Sequence, residues 1–315
     1  MKRGKPVKLS LLEAVWRYLP VGDSYEETSR EMIRRRQAGF VGEQRGDAEW
    51  KLLDSLEPFD LLHDLHLPIE EVTYQLDTIF ISRKFILIVE MKNIAGEVNF
   101  DEEKHQFTRR KEDEPTIGLS NPADQVERHR RKLSAVLLHG LGIQLPIIGA
   151  VVFANSSTII GKTVPGIITI HLSGLQRLLD NLYEYYTQDV LSPGQARQLA
   201  DYLQTIHSPK MVYPTSLIPE AVFKRLRNGV MCTRCDRVQM HYEWKTWTCP
   251  RCGLRDKNGH IRALQDYRLL YGETITNKQF REFCRIESIS ASSRLLRELN
   301  LPFTGSYRNR TYRLK

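Results

Sequence analysis

Long hydrophobic runs are missing from this 315-residue chain. No window approaches the roughly 20 apolar residues of a membrane-spanning helix, so a helical membrane protein is not expected. The basic start Met1-Lys2-Arg3-Gly4-Lys5 leads into an apolar stretch at Leu9, but Glu13 and Arg17 interrupt it before signal-peptide length. A cytoplasmic protein without a membrane partner is the expectation. Cysteine is scarce as well: there are five, four of them in one frame, which argues against a disulfide-stapled secreted scaffold. Internal repeats and low-complexity tracts are also lacking, so neither a solenoid nor a disordered chain is indicated. Apolar content of 41% is ordinary for globular proteins, and the length calls for two or three domains.

The most informative stretch that is present reads Phe-Ile-Leu-Ile-Val-Glu-Met-Lys-Asn, from Phe85 to Asn93. An apolar run fit for a buried strand ends by presenting Glu90 and Lys92 two positions apart, and residues two apart in a strand share a face. The preceding run Tyr74–Ile81 carries Asp77 in a similar frame. If the two runs form a hairpin through Ser82-Arg83-Lys84-Phe85, a two- or a four-residue loop gives the same register. Asp77 then faces Glu90, with Cβ atoms roughly 5 Å apart. Two carboxylates that close repel unless a cation lies between them, and hard oxygen ligands suit Mg²⁺ or Mn²⁺. Taken alone, Glu-x-Lys at a strand end is more often a surface ion pair.

Around these runs the sequence places a helix opening at Gly42-Glu43, a third short strand at about 97–100, and a helix from Asn121-Pro122 to about His139. The strand Pro146 to Phe153 follows. The motifs Gly42-Glu43, Gln75-Leu76-Asp77, Ile88-Val89-Glu90-Met91-Lys92-Asn93, Gly96, and Asn121-Pro122 with Gln125 together resemble the nuclease-related domain (NERD) family. That family is a branch of the PD-(D/E)xK nuclease superfamily. The resemblance covers roughly Gln37 to Tyr183. The family's usual Gln-Ile-Asp and Glu-Val-Lys or Glu-Thr-Lys appear here as Gln-Leu-Asp and Glu-Met-Lys, swaps on the opposite strand face.

The resemblance implies a restriction-endonuclease-like α/β core, a mixed sheet flanked by helices, and a metal-dependent phosphodiesterase site. Asp77, Glu90 and the Met91 carbonyl would hold the metal, with Lys92 assisting the nucleophile. Glu43 and Gln125 would complete the site, Glu43 as ligand of a second metal, directly or through water, and Gln125 by fixing a water or a phosphate oxygen. Without the resemblance, Glu43 reads as a first-turn acid complementing a helix dipole. His129, one turn beyond Gln125, reads as an exposed residue among Arg128, Arg130 and Arg131. Asp47, at i+4 from Glu43, could face the site with it, but an exposed acid near a helix start is the commoner reading.

The remaining signals lie toward the C-terminus. Cys232-Thr233-Arg234-Cys235 and Cys249-Pro250-Arg251-Cys252 are paired Cys-x-x-Cys knuckles, a strong signal for a closed, structural zinc ribbon. His241 lies between the knuckles but the four thiolates already satisfy a metal, and Cys284 reads as a core residue. Residues 221–315 hold 20 Lys and Arg against 8 Asp and Glu, whereas the remainder is slightly acidic. A basic module on a near-neutral core reads as a nucleic-acid anchor. Three short helical patterns and a terminal hairpin resemble a winged-helix module. Ser292, Ser293, Arg294 and Arg297 would then face a groove, and Arg308 and Arg310 phosphates.

The expected organisation is a basic arm (1–36), a nuclease-like domain (37–185), a helical linker (186–228), the ribbon (229–256) and a winged-helix-like domain (257–315). The expected function is metal-dependent hydrolysis of DNA phosphodiester bonds; a non-cleaving DNA-binding or regulatory protein on a nuclease fold is the alternative. The sequence leaves the oligomeric state open.

Overall fold

The computed structural model describes residues 3–53, 57–209, 212–306 and 309–314. The chain clusters into two compact units, residues 1–4 with 38–210 and residues 5–37 with 211–315. The segments expected as an arm and as a linker therefore each contribute to both. Two helices open the chain, α1 (Val7–Tyr18) and α2 (Glu26–Trp50). A helix opening at Gly42 was the expectation; α2 instead starts at Glu26. Glu26 and Glu27 occupy its first turn, where acids complement unpaired N–H groups, and no proline interrupts it before Trp50.

In the first unit the strands β1 (Asp60–Ile69), β2 (Val72–Ile81) and β3 (Ile86–Lys92) come first. Next are β4 (Gly96–Asp101), β5 (Gln106–Arg110), β6 (Ile117–Leu119) and helix α3 (Pro122–Leu141). The unit continues with β7 (Ile147–Phe153), β8 (Thr158–Ile160), β9 (Ile168–His171), α4 (Leu175–Tyr185) and α5 (Pro193–Thr205). The main sheet has the order β1-β2-β3-β7-β9, antiparallel as far as β3 and parallel beyond it. A second sheet has the order β6-β5-β4-β8, so the strand expected near residue 97 belongs to it rather than to the main sheet.

β3 is central, and both of its faces are covered. Ile86 and Ile88 join a core with Leu133 and Leu137 of α3 and Leu199 and Leu203 of α5. Leu87, Val89 and Met91 join another with Trp50 of α2 and Leu175 and Leu179 of α4. A strand buried on both faces reads as a continuous apolar run, which is what Ile-Leu-Ile-Val shows. Each such side chain stabilises the fold by about 1.5–3 kcal/mol when buried. A one-residue slip would push Glu90 onto the opposite apolar face, so packing fixes where the acid emerges.

The hairpin register is as the sequence implies. Ile81 pairs with Ile86, Ile79 with Ile88 and Thr78 with Val89; one further step brings Asp77 level with Glu90. β1, in contrast, is not visible as an alternating strand. Its buried positions are Leu62, Leu65 and Leu67, and the frame breaks at Asp64, whose φ of 52° puts a kink between the first two.

α3 is capped by Asn121, whose side chain accepts from the Ala123 N–H, with Pro122 at its first turn and Gly142 left-handed at its end. α5 opens with a capping box formed by Ser192 and Gln195. Its buried face places it on the β1–β2–β3 core instead of in a connecting segment.

The second unit adds α6 (Glu220–Phe223), β10 (Val230–Met231), β11 (Gln239–Glu243), β12 (Thr246–Thr248) and β13 (Arg255–Asp256) to α1 and residues 26–37. It ends with α7 (Gly259–Tyr271), β14 (Thr274–Thr276), α8 (Asn277–Cys284), α9 (Ile289–Glu298), β15 (Phe303–Thr304) and β16 (Thr311–Arg313). The three helices and the β14-β16-β15 sheet have winged-helix-like order, with β14 an addition to the expected hairpin. Thr276 caps α8 and Ser288 caps α9. One core joins α1 (Leu12, Val15, Tyr18), the ribbon (Val230, Met240, Trp247) and the helices α7 to α9. Cys284 lies in it, as a core residue should.

Candidate functional site

The carboxylates at the end of the β2–β3 hairpin are held by different means. Asp77 Oδ2 accepts a 3.0 Å hydrogen bond from the Met91 backbone N–H, which ties the acid of one strand to the next. Glu90 is only 3% exposed; its Oε1 accepts from Lys92 Nζ at 2.6 Å. Its Oε2 is buried and has no hydrogen-bond partner among the described residues. Burial raises the Glu90 pKa to about 8, reinforced by the Asp77 charge and opposed by Lys92 and Gln125. Burial raises Asp77 as well, against the pull of Lys92 and the Met91 N–H. Lys92 loses by burial but gains more from Glu90 and Asp77, so its pKa rises and the ammonium stays charged. The orphaned Oε2 beside a second carboxylate is a donor set that a divalent cation fits.

Glu43 and Gln125 reach this pair from helices. Gln125 sits in the first turn of α3 and favours the charged form of Glu90. Glu43 lies deep inside α2, not in a first turn, so the dipole reading of this acid is excluded. Burial and the neighbouring Asp77 raise its pKa to about 7. Its side chain pairs with Arg3, Nη1 to Oε2 at 2.9 Å. Asp47, expected to be an ordinary exposed acid, pairs with the same guanidinium at 3.0 Å. Arg3, His63 and Thr78 are therefore part of the cluster although no local pattern marks them. The Glu43 helix can approach the sheet because position 42 is glycine: a Cβ there would lie 2.6 Å from the Asn93 Cβ.

His129 departs from its expectation. It is 5% exposed, stands edge-on to Tyr74, and burial lowers its pKa to about 4. The reason is helix phase, since Val126, His129, Leu133 and Leu137 form one buried stripe of α3. Of the basic residues around it, Arg130 and Arg131 pair with Glu127 while Arg128 is exposed.

In the second unit the Sγ atoms of Cys232, Cys235, Cys249 and Cys252 lie within 4.8 Å of one another, close enough to bind a metal ion and consistent with a zinc ribbon. Cys232 and Cys252 are 3.7 Å apart. A tetrahedron with Zn–S bonds of about 2.3 Å has edges of about 3.8 Å, so the thiol spacing fits. The knuckle directs the N–H groups of Arg234 and Cys235 at Cys232 Sγ, both at 3.4 Å. Between the knuckles β11 and β12 form a hairpin whose turn residues, Trp244 and Lys245, both have positive φ. His241 is exposed on β11 and stands outside the sulfur cluster. Among the described residues these four cysteines are the one such group of three or more potential ligands.

The basic residues of α9 and the wing differ in availability. Arg297 is exposed, but Arg294 donates to the Tyr242 hydroxyl of the ribbon at 2.8 Å. Ser292, expected to face a groove, is buried with Leu295 and Leu296 and bonds to Asn277, because it shares their helix stripe. Arg310 stacks on Phe303 at 4.0 Å, and Arg308 lies outside the described residues.

Residues 38–154 match the family model of the nuclease-related domain, NERD. The matched span holds Glu43, Asp77, Glu90, Lys92 and Gln125, so the hairpin acids lie inside a nuclease-related domain. Searches of curated proteins and of solved structures return no match. No helix among the described residues is long and apolar enough to cross a membrane.

Proposed function

We propose, taking the nuclease-related domain of residues 38–154 as premise, that this chain is a divalent-cation-dependent nuclease acting on DNA phosphodiester bonds. The observation that carries the reading is the convergence of Asp77, Glu90 and Lys92 at one end of the β2–β3 hairpin, with one buried carboxylate oxygen unpartnered. Asp77, Glu90 and the Met91 carbonyl would hold Mg²⁺ or Mn²⁺. Such an ion supplies Lewis-acid polarisation of a phosphate and a more acidic bound water.

The chain's own groups divide the remaining work. Lys92, kept positive by two carboxylates, stabilises negative charge as it builds on the phosphate oxygens. Gln125 can donate to a phosphate oxygen or orient a water but cannot accept a proton as a base. Glu43 restrains the helix side of the site through its pair with Arg3. Four cysteines would carry a structural zinc, closed to substrate because all four positions are protein thiolates. The basic second unit, with exposed Arg297, would hold the DNA; its charge supports a nucleic-acid partner.

The test is cleavage of plasmid and linear DNA with Mg²⁺, Mn²⁺ or EDTA, beside Glu90→Ala purified identically. Metal-dependent cutting that disappears in the variant supports the reading. Intact DNA binding with no cutting on any substrate would instead favour a non-cleaving binding protein on this fold.

A further inference from the structure

Arg3 is a cation that the chain itself delivers to the acid cluster. We propose that its guanidinium occupies the position a second divalent ion would otherwise take beside Glu43 and Asp47, making the centre a single-ion site. The inference rests on the nuclease reading above.

The Arg3 side chain is 4% exposed and is held from several directions. Nη1 donates to Glu43 Oε2 at 2.9 Å, and Nε donates to both Asp47 oxygens at 3.0 and 3.2 Å. Nη2 donates to the Asp77 backbone carbonyl at 2.9 Å and to Thr78 Oγ1 at 3.0 Å, with His63 Nδ1 at 3.4 Å. Carboxylate, carbonyl and hydroxyl oxygens gathered round one point are the donors that Mg²⁺ or Mn²⁺ prefers. Here a planar fork of N–H groups satisfies them instead.

Charge balance points the same way. Four carboxylates (Glu43, Asp47, Asp77 and Glu90) meet two side-chain cations, Arg3 and Lys92. Arg3 thus neutralises part of the charge that a second divalent ion would otherwise meet, and the Asp64 charge also acts on Glu43 and Asp77. Arg3 acts here as a positioning residue, fixing Glu43 and Asp47 while the Asp77–Glu90 pair remains free for a cation.

The test counts Mn²⁺ on the full-length, zinc-loaded chain by electron paramagnetic resonance, comparing wild type with Arg3→Ala and Arg3→Lys. One isolated Mn²⁺ is expected for wild type and for Arg3→Lys. Two are expected for Arg3→Ala, with the spectrum of a spin-coupled pair. A count of one in a cooperatively folded Arg3→Ala protein would overturn the proposal. So would a coupled pair in wild type, a result that does not depend on any variant folding. Failure of the nuclease reading looks different: wild type would bind no Mn²⁺, and the present inference would fall with it.

Discussion

The Asp77 carboxylate accepts its hydrogen bond from the Met91 N–H, the amide between Glu90 and Lys92. The acid of β2 is thereby locked to the strand that carries the other acid and the lysine. Their spacing depends on strand pairing and is not left to side-chain rotamers.

Metal-free stability should fall as pH rises from about 6.5 to 8. Glu90 and Glu43, raised to about 8 and about 7 from the usual 4.5, hold protons in the folded state that the unfolded chain has already released. The folded state then binds more protons than the unfolded one, so stability declines through this window. The lowered histidines, such as His129, act in the opposite sense, chiefly below their usual value of 6.5, and offset part of the decline just above it. The expected loss is of order 1–2 kcal/mol. Thermal melts of zinc-loaded protein in magnesium-free buffer check it; added Mg²⁺ should flatten the trend, and a rising melting temperature would contradict the buried, protonated acids.

Gly42→Ala should damage the first unit while Gly46→Ala should not. The Gly42 Cβ would meet the Asn93 Cβ at 2.6 Å, an atom anchored next to its backbone. At Gly46 the obstacle is the Met91 Cε, the free end of a flexible chain. Overpacking costs about 1–3 kcal/mol, whereas alanine improves helix propensity by about 1 kcal/mol. Denaturant midpoints of the two variants should therefore separate, and equal midpoints would refute the close helix–strand contact.

Cys232→Ser should lower zinc content and destabilise the whole second unit, because Cys232, Trp247 and Phe280 share one core with α1. Structural zinc contributes roughly 10–16 kcal/mol of apparent binding free energy in small domains. Metal analysis and amide exchange over residues 230–300 provide the measurement. Unchanged zinc would refute the ribbon, and loss confined to the ribbon would refute the shared core.

Arg297→Ala should weaken DNA binding and reduce the salt slope by about 1, as expected for one lost phosphate contact. Arg294→Ala should act chiefly on stability, through the lost bond to the Tyr242 hydroxyl. Fluorescence anisotropy at several salt concentrations, beside thermal melts, separates the two. A salt slope unchanged in Arg297→Ala would place the DNA surface elsewhere.

Part of this design is legible along the chain because it rests on short-range rules. Period-two alternation and the parity of the Ser82–Phe85 loop bring Asp77 level with Glu90, whichever loop length is chosen. Cys-x-x-Cys spacing likewise identifies the sulfur cluster, because each knuckle is local. His129 and Ser292 were within reach of the same kind of reading. Each sits on the apolar stripe of its helix, and a polar residue in that phase is carried inside.

The sequence by itself therefore determined the hairpin acids, the lysine, the knuckles and the basic C-terminal third, since neighbours in the chain or pairing rules specify them. Tertiary structure alone decided that Arg3 meets Glu43 and Asp47, that α5 covers β1, and that Arg294 reaches Tyr242. Those contacts join residues about 40 to 140 positions apart, where no periodicity connects the partners. They arise only when burial of the cores brings distant segments together and each buried charge or hydroxyl must find a partner there.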